Sequence, residues 1–137
     1  AFGENAESCW DYLNKLTAAF DPVYMRGEKP GTETEAAVRF AGVQEIIDSF
    51  MPTIEKNIKL DEECHSKSWF YLQQHAQITA SLAKALQAQA DGDAEKAKSL
   101  WIETRTMAYV KEEEIHPVFD ACLFAGIFDG RFGYIPE

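Results

Sequence analysis

Apolar residues recur at steps of three and four along most of this chain, which is the spacing of one face of an α-helix. The first such run predicts a helix over residues 6–20, and a second helix begins at Thr32, where Thr32 and Glu35 form a capping box. Pro52 either ends this second helix or kinks it. The residues predicted to face inward are Ala6, Cys9, Trp10, Leu13, Leu16 and Phe20, then Ala36, Val38, Phe40, Val43, Ile47 and Phe50, with Ile54, Ile58 and Leu60 beyond a kink.

Two further helices are predicted to form an antiparallel hairpin. The longest pattern runs from Asp61 without Gly or Pro until Gly92, about eight helical turns. Gly92 suits a helix C-cap and Asp93 can cap the fourth helix, whose last turns Pro117 is expected to bend. The inward residues of this hairpin are predicted to be Trp69, Leu72, Ala76, Thr79, Leu82 and Leu86, then Ala97, Trp101, Thr104, Ala108, Ile115 and Phe119.

The last fifteen residues are dense in aromatic side chains but interrupted by Gly126, Gly130 and Gly133. This spacing predicts an irregular tail that covers the core, since so apolar a segment is costly to leave in water. The predicted fold is therefore all-α, an antiparallel bundle of four helices (three to five) with an irregular aromatic C-terminal tail. Residues 1–137 are expected to form a single domain, and the opening at Ala1 without Met is typical of a piece of a larger protein.

Composition and charge narrow the possible partners. The 137 residues include 13 Lys and Arg against 23 Asp and Glu, a net charge of −10, and 46% are hydrophobic. This apolar content is enough for a packed core. The negative charge repels phosphate backbones and anionic lipid heads, so neither nucleic acid nor a membrane is expected as a partner.

The three cysteines and three tryptophans are predicted to be core residues. Cys9, Cys64 and Cys122 are far apart and odd in number, which indicates neither a disulfide framework nor a zinc site. Trp10, Trp69 and Trp101 fall on apolar stripes, so packing is favoured over stacking on a sugar.

A pair of Glu-x-x-His motifs provides the candidate metal ligands: Glu62 with His65, and Glu113 with His116. Carboxylate-bridged di-iron bundles use this motif on two helices. Here Glu113 lies two residues before the inward Ile115 and is expected to face solvent. The two glutamates are also staggered by nine residues about the Gly92 turn, roughly 13 Å. No metal, other cofactor or catalytic residue is therefore predicted, and these four residues remain an alternative.

Two other groups of polar residues have simple structural interpretations. Glu112, Glu113 and Glu114 fan around a helix and are expected to form a solvated face instead of the paired carboxylates of a glycosidase. His75 lies beside the apolar stripe of the third helix and is interpreted as a hydrogen-bonded boundary residue.

Two segments resemble a known group of proteins. Residues 1–7, running into Trp10-Asp11-Tyr12-Leu13, are similar to the opening of the helical domain that follows the catalytic barrel in large bacterial glycoside hydrolases and uncharacterised relatives. Residues 91–97 and 112–120 resemble the last hairpin of that domain, which ends on an acidic-to-Pro-Val-Phe-Asp stretch before an aromatic tail. The resemblance implies a non-catalytic domain whose parent is carbohydrate-active and exported, with the catalytic carboxylates in an upstream barrel.

Three functions are therefore considered. The leading one is an accessory, structural domain of a glycoside hydrolase-like parent, with the upstream catalytic domain as its partner and carbohydrate as a further possible contact. The first alternative is a free-standing acidic interaction module that docks a protein through its aromatic tail. The second alternative is a di-metal carboxylate bundle that uses Glu62, His65, Glu113 and His116.

Overall fold

The all-α prediction is confirmed by a computed structural model, which describes residues 5–27, 33–59, 63–115 and 119–136, with residues 63–65 described by their backbone alone. These ranges contain helices and no strand. The helices are α1 (Ala6–Phe20), α2 (Pro22–Met25), α3 (Glu33–Ala41), α4 (Val43–Ile58), α5 (Glu63–Ala90), α6 (Ala94–Ile115) and α7 (Ala121–Phe132). No helix in the described residues is both long and apolar enough to cross a lipid bilayer.

A single residue forms the corner between α1 and α2. Asp21 adopts a left-handed conformation (φ 51°), and its N–H donates to Thr17 O at 2.9 Å, which closes α1. Its carboxylate then accepts from Tyr24 N at 3.4 Å and so caps α2. Asp tolerates this conformation better than most residues because its short side chain hydrogen-bonds locally. The corner fixes the direction in which α2 leaves the end of α1.

The predicted second helix is divided in the structure. Its two parts, α3 and α4, meet at Gly42, whose N–H is shared between Val38 O and Arg39 O. Pro52 lies inside α4 and does not end it, so the helix continues to Ile58. The capping residue Thr32 lies outside the described residues, as does Leu60.

The predicted hairpin of the third and fourth helices is confirmed as α5 and α6. Gly92 has a φ of +85°, and Asp93 caps α6 by accepting from Lys96 N at 3.1 Å. Every inward residue predicted on α5 is buried, as are those on α6 up to Ile115. Phe119, predicted as the last inward residue of the fourth helix, lies after the end of α6 and is half-buried. Pro117 lies outside the described residues.

The prediction of an irregular aromatic tail is wrong, because most of it forms α7. Asp120 caps the helix by accepting from Leu123 N at 3.0 Å, and Gly133 ends it in a left-handed conformation. Gly126 and Gly130 lie within the helix and are exposed. A helical glycine costs only about 1 kcal/mol, which packing of the neighbouring aromatic rings offsets.

The core consists of two clusters that share α5. The first joins α1, α4 and the first half of α5 around Trp69, and the second joins α2, α3, α6 and α7 to the second half of α5 around Trp101. Both tryptophans are fully buried, as predicted. Burial predictions fail for Ala6, Trp10, Val38 and Cys122, which are exposed. Cys9 is buried, as predicted. Cys64 is described by its backbone alone.

Candidate docking groove

An apolar groove of about 840 Å³ runs between α1 and α7 over α5. α1 supplies Leu13, Leu16 and Phe20 to one wall, and α7 supplies Phe124 and Phe128 to the other. α1 packs on α3 and α4, whereas α7 packs on α6, so the two wall helices stand apart over α5. Pro22 and Met25 of α2 add to the lining where α1 ends. The volume lies in the range of about 300 to 1,000 Å³ that is common for binding sites.

The floor of the groove is a straight line of residues along α5. Ser68, His75 and Leu82 all line the groove and are spaced by seven residues. Seven residues turn a helix through 700°, so successive members of this line differ by only about 20° around the axis. From Ser68 to Leu82 the floor is about 21 Å long, at 1.5 Å per residue.

Apolar side chains continue the groove beyond both walls. Trp10, which is 67% exposed, lies three residues before Leu13 and so on the same side of α1. On α7, Ile127 follows Phe124 by three residues and Leu123 precedes Ile127 by four, and these two side chains are 62% and 64% exposed. The apolar surface is therefore wider than the groove itself, with Trp10 on one rim and Leu123 and Ile127 on the other.

His75 is the polar residue at the middle of the floor. Its side chain is open to solvent through the mouth of the groove, yet apolar side chains surround it on the other sides, and this burial lowers its pKa below 6.5. Its imidazole has no hydrogen-bond partner among the described residues. Tyr71 is the other titratable side chain in the lining, and Lys111 lies nearby, with its Nζ bonded to Gln74 and Gln77.

Trp101 anchors the α7 wall to α6. Its ring centroid lies 5.4, 5.7 and 5.3 Å from those of Phe124, Phe128 and Phe132. Its Nε1 donates to Asp129 Oδ1 at 2.9 Å. The same carboxylate oxygen accepts from Arg105 Nε at 3.0 Å.

Arg105 connects the end of the chain to this anchor. Its guanidinium carbon lies 5.0 Å from the ring centroid of Tyr134 and 5.1 Å from that of Tyr109. Hydrogen bonding and attraction to Asp129 outweigh the effect of burial and raise the pKa of Arg105 further. These contacts hold Phe124 and Phe128 against the groove.

The acidic run contributes to the same wall. Glu112 Oε2 accepts from Ala121 N at 2.6 Å, so Glu112 satisfies a free N–H in the first turn of α7. Glu113 and Glu114 are exposed, as predicted for a solvated face. Glu112 therefore differs from the prediction, because it is a capping residue and not only part of the charged surface.

Of the four candidate metal ligands, only Glu113 is described in full. Glu62 and His116 lie outside the described residues, and the side chain of His65 does as well. In the part of the chain that the structure describes, no three His, Cys, Asp or Glu side chains are grouped so that they could hold a metal ion. The di-metal hypothesis therefore stays a prediction.

Sequence reasoning identified apolar residues of the lining, such as Leu13, Leu16 and Phe20, but it did not predict the groove that they form. His75 lies beside the apolar stripe as predicted, but it has no hydrogen-bond partner among the described residues, and nothing in the spacing indicates that the stripe is left partly uncovered. Nothing in the sequence indicated that Asp129, in a tail predicted to be irregular, accepts hydrogen bonds from Trp101 and Arg105. The one available signal was the apolar character of residues 121–128, which continues around the whole helix and is unusual for a helix in contact with water.

Comparison with known proteins found no match, whether among family models, curated proteins or solved structures.

Proposed function

We propose that this chain is a non-catalytic accessory helical domain of a carbohydrate-active protein, and that its groove is the surface on which the neighbouring catalytic domain packs. The observation that carries the docking role is the wide apolar surface formed by the groove and its rims. The type of parent follows from the resemblance of residues 1–7 with 10–13, and of residues 91–97 and 112–120, to the helical domain that follows a glycoside hydrolase barrel.

The exposed rims favour a protein surface over a small molecule. A small ligand inside the groove would contact the lining, for example Leu13 and Phe124. It would not need apolar side chains outside the lining. Trp10, Leu123 and Ile127 lie outside and are each more than 60% exposed. Exposed apolar patches around a groove mark interaction sites. A tryptophan that becomes buried when the partner binds commonly contributes much of the binding energy of such an interface.

The residues of the resembling segments have structural roles that suit an accessory domain. Asp93 caps α6, while Glu112 and Asp120 both accept hydrogen bonds from the first turn of α7. Carboxylates engaged in this way stabilise helices and build the groove wall. They support an interpretation in which these segments maintain the fold of the domain.

The docking role is tested by binding between two separately produced pieces. The first is this chain, and the second is the polypeptide that the same gene encodes before Ala1. Titration calorimetry is expected to give a complex that Trp10→Glu and Ile127→Glu each weaken at least about tenfold, because each puts a charge into an apolar contact. Val38→Glu is the matched control, since Val38 is 70% exposed on α3 and outside the groove lining.

Three results would contradict the proposal. One is equal weakening by Val38→Glu, and another is the absence of any complex. The third is hydrolysis of glycosides by the isolated chain, which would remove the non-catalytic assignment. If the gene encodes no catalytic region before Ala1, the alternative of a free-standing interaction module takes its place, with the same groove as its docking surface.

A further inference from the structure

The groove distinguishes between the forms that a docked segment could take. Apart from Phe119, the described residues that line the groove lie in helices, which pair most of their backbone N–H and C=O groups internally. Among the described residues an extended segment would find no sheet edge here, and its own backbone groups would be buried unpaired at a cost of several kcal/mol. A helix satisfies its backbone internally and meets the groove with side chains alone.

The length of the floor sets the length of such a helix. The floor extends about 21 Å from Ser68 to Leu82, which corresponds to 14 helical residues, about four turns. The side of the helix that faces away from the floor would lie toward the rims that carry Trp10 and Ile127.

His75 places a chemical demand on that helix. While the groove is open, water can satisfy the imidazole, but a docked helix removes this water and leaves two ring nitrogens in an apolar site. No Asp, Glu, Lys or Arg lines the groove among the described residues. A polar group facing a single interior position is known to set the register of packed helices, and His75 lies at the middle of the floor.

Building on the docking role proposed above, we infer that the groove receives one amphipathic helix of about four turns, which presents an uncharged hydrogen-bonding side chain (Asn, Gln, Ser or Thr) to His75. Apolar residues on either side of that central position would contact the rest of the floor, near Ser68 and Leu82. The helix would be an amphipathic segment with one polar residue at the centre of its apolar face.

A displayed library of 16-residue helices tests this inference without the parent protein. Apolar positions are fixed as Leu or Ile in a heptad pattern, the surface carries only Ala, Gln and Lys, and the central position facing the groove is fully randomised. Selection against the intact chain is expected to enrich Asn, Gln, Ser or Thr at the centre. Selection against His75→Leu should enrich Leu or Ile there instead.

The pH dependence of a selected helix supplies a second readout. Docking desolvates His75 and therefore favours its neutral form, so affinity should be constant above the pKa of His75 in the free chain and fall below it. The fall is at most about tenfold per pH unit. Because the peptide surface carries no Asp, Glu or His, a comparison of wild type with His75→Gln between pH 7.5 and 5.5 isolates this residue.

Several outcomes would overturn the inference. Enrichment of Asp or Glu at the centre, or tighter binding on acidification, would indicate an ion pair with protonated His75. An apolar centre selected equally by wild type and His75→Leu would show that His75 makes no contact. If no helix from the library binds the intact chain in a way that the double change Trp10→Glu and Ile127→Glu weakens, a docked helix is ruled out. That last result would leave calorimetry with the upstream polypeptide as the separate test of the docking role.

Discussion

The two walls of the groove are built by different physical means. α1 is amphipathic and packs through a regular stripe that includes Cys9, Tyr12 and Leu16. α7 is apolar on nearly every side, with Asp129 and Arg131 as its charged residues. α1 therefore lies on the core by burying one face, whereas α7 could bury almost any face and is oriented by specific bonds.

This difference shows where orientation comes from in an apolar helix. The rings of Phe124 and Phe128 face Trp101 because Asp129 receives hydrogen bonds from Trp101 Nε1 and Arg105 Nε. Rotating α7 to expose this face would leave an indole N–H buried without its acceptor, at about 1 to 3 kcal/mol. A few polar contacts thus decide which apolar face lines the groove.

The largest effect is expected from removing Trp101, the side chain on which α7 packs. Trp101→Ala removes a fully buried indole that contacts three phenylalanine rings, and should lower the free energy of unfolding by about 3 to 5 kcal/mol. Urea denaturation followed by circular dichroism measures it. Trp10→Ala is the control, since the exposed Trp10 should change stability by no more than about 0.5 kcal/mol. Similar losses for both variants would contradict this account of the α7 wall.

A smaller effect is expected from the polar anchor alone. Asp129→Ala should cost about 1 to 3 kcal/mol, because Trp101 Nε1 loses its acceptor while it stays buried. Asp129→Asn should cost less, since an amide oxygen can still accept from Trp101. In Asp129→Ala, amide hydrogen exchange should be faster than in wild type within α7 but unchanged within α1. Uniformly faster exchange in both helices would mean that Asp129 does not act specifically on α7.

Two glycines of α7 should respond in opposite directions. Gly133 has a φ of +68°, so Gly133→Ala places a side chain in a strained conformation and should cost about 1 kcal/mol. A Cβ added at Gly126 meets nothing within 4 Å, so Gly126→Ala should stabilise the helix by about 0.4 to 1 kcal/mol. Thermal denaturation of both variants compares them, and a loss at Gly126 would argue against α7 being helical there.

The smallest effect concerns the pH dependence of folding. Burial lowers the pKa of His75 in the folded chain below 6.5, so the unfolded chain binds its proton more readily. The contribution of neutral His75 to stability is complete above about pH 6.5 and is lost as the pH falls toward the folded pKa. The free energy of unfolding of wild type minus that of His75→Gln, measured from pH 7.5 to 5, should decrease. A flat difference would show that His75 is fully hydrated in the groove.

The same contrast explains how far sequence could predict the fold. Helices whose apolar residues recur at regular steps of three and four, such as α1, α5 and α6, follow directly from residue spacing, and Leu16, Trp69 and Trp101 are buried as expected. α7 was missed because its spacing has no polar face to reveal a helical period and its glycines suggest turns. Trp10 was misplaced because it lies at the edge of its stripe, where spacing alone does not separate a buried from an exposed side chain.

The groove itself could not be predicted in this way. It depends on the gap that five elements leave between them, and this is a property of their packing angles and not of any local spacing. Residue patterns identify side chains that avoid water, such as Leu13 and Phe124, but they do not show whether another part of the same chain covers them.

Arg131 ties one of the last residues of the chain to one of the first turns. Its Nη1 donates to Met25 O at 3.2 Å, across 106 residues, and its Nε donates to Gln89 Oε1 at 3.1 Å. During synthesis on a ribosome, α2 and the central α5 are made long before this bond can form. Domains fold as units during synthesis, and contacts so distant in sequence form slowly. Until α7 emerges, Trp101 lacks the three phenylalanine rings that pack on it in the finished fold, so this part of the core stays open to water in the nascent chain.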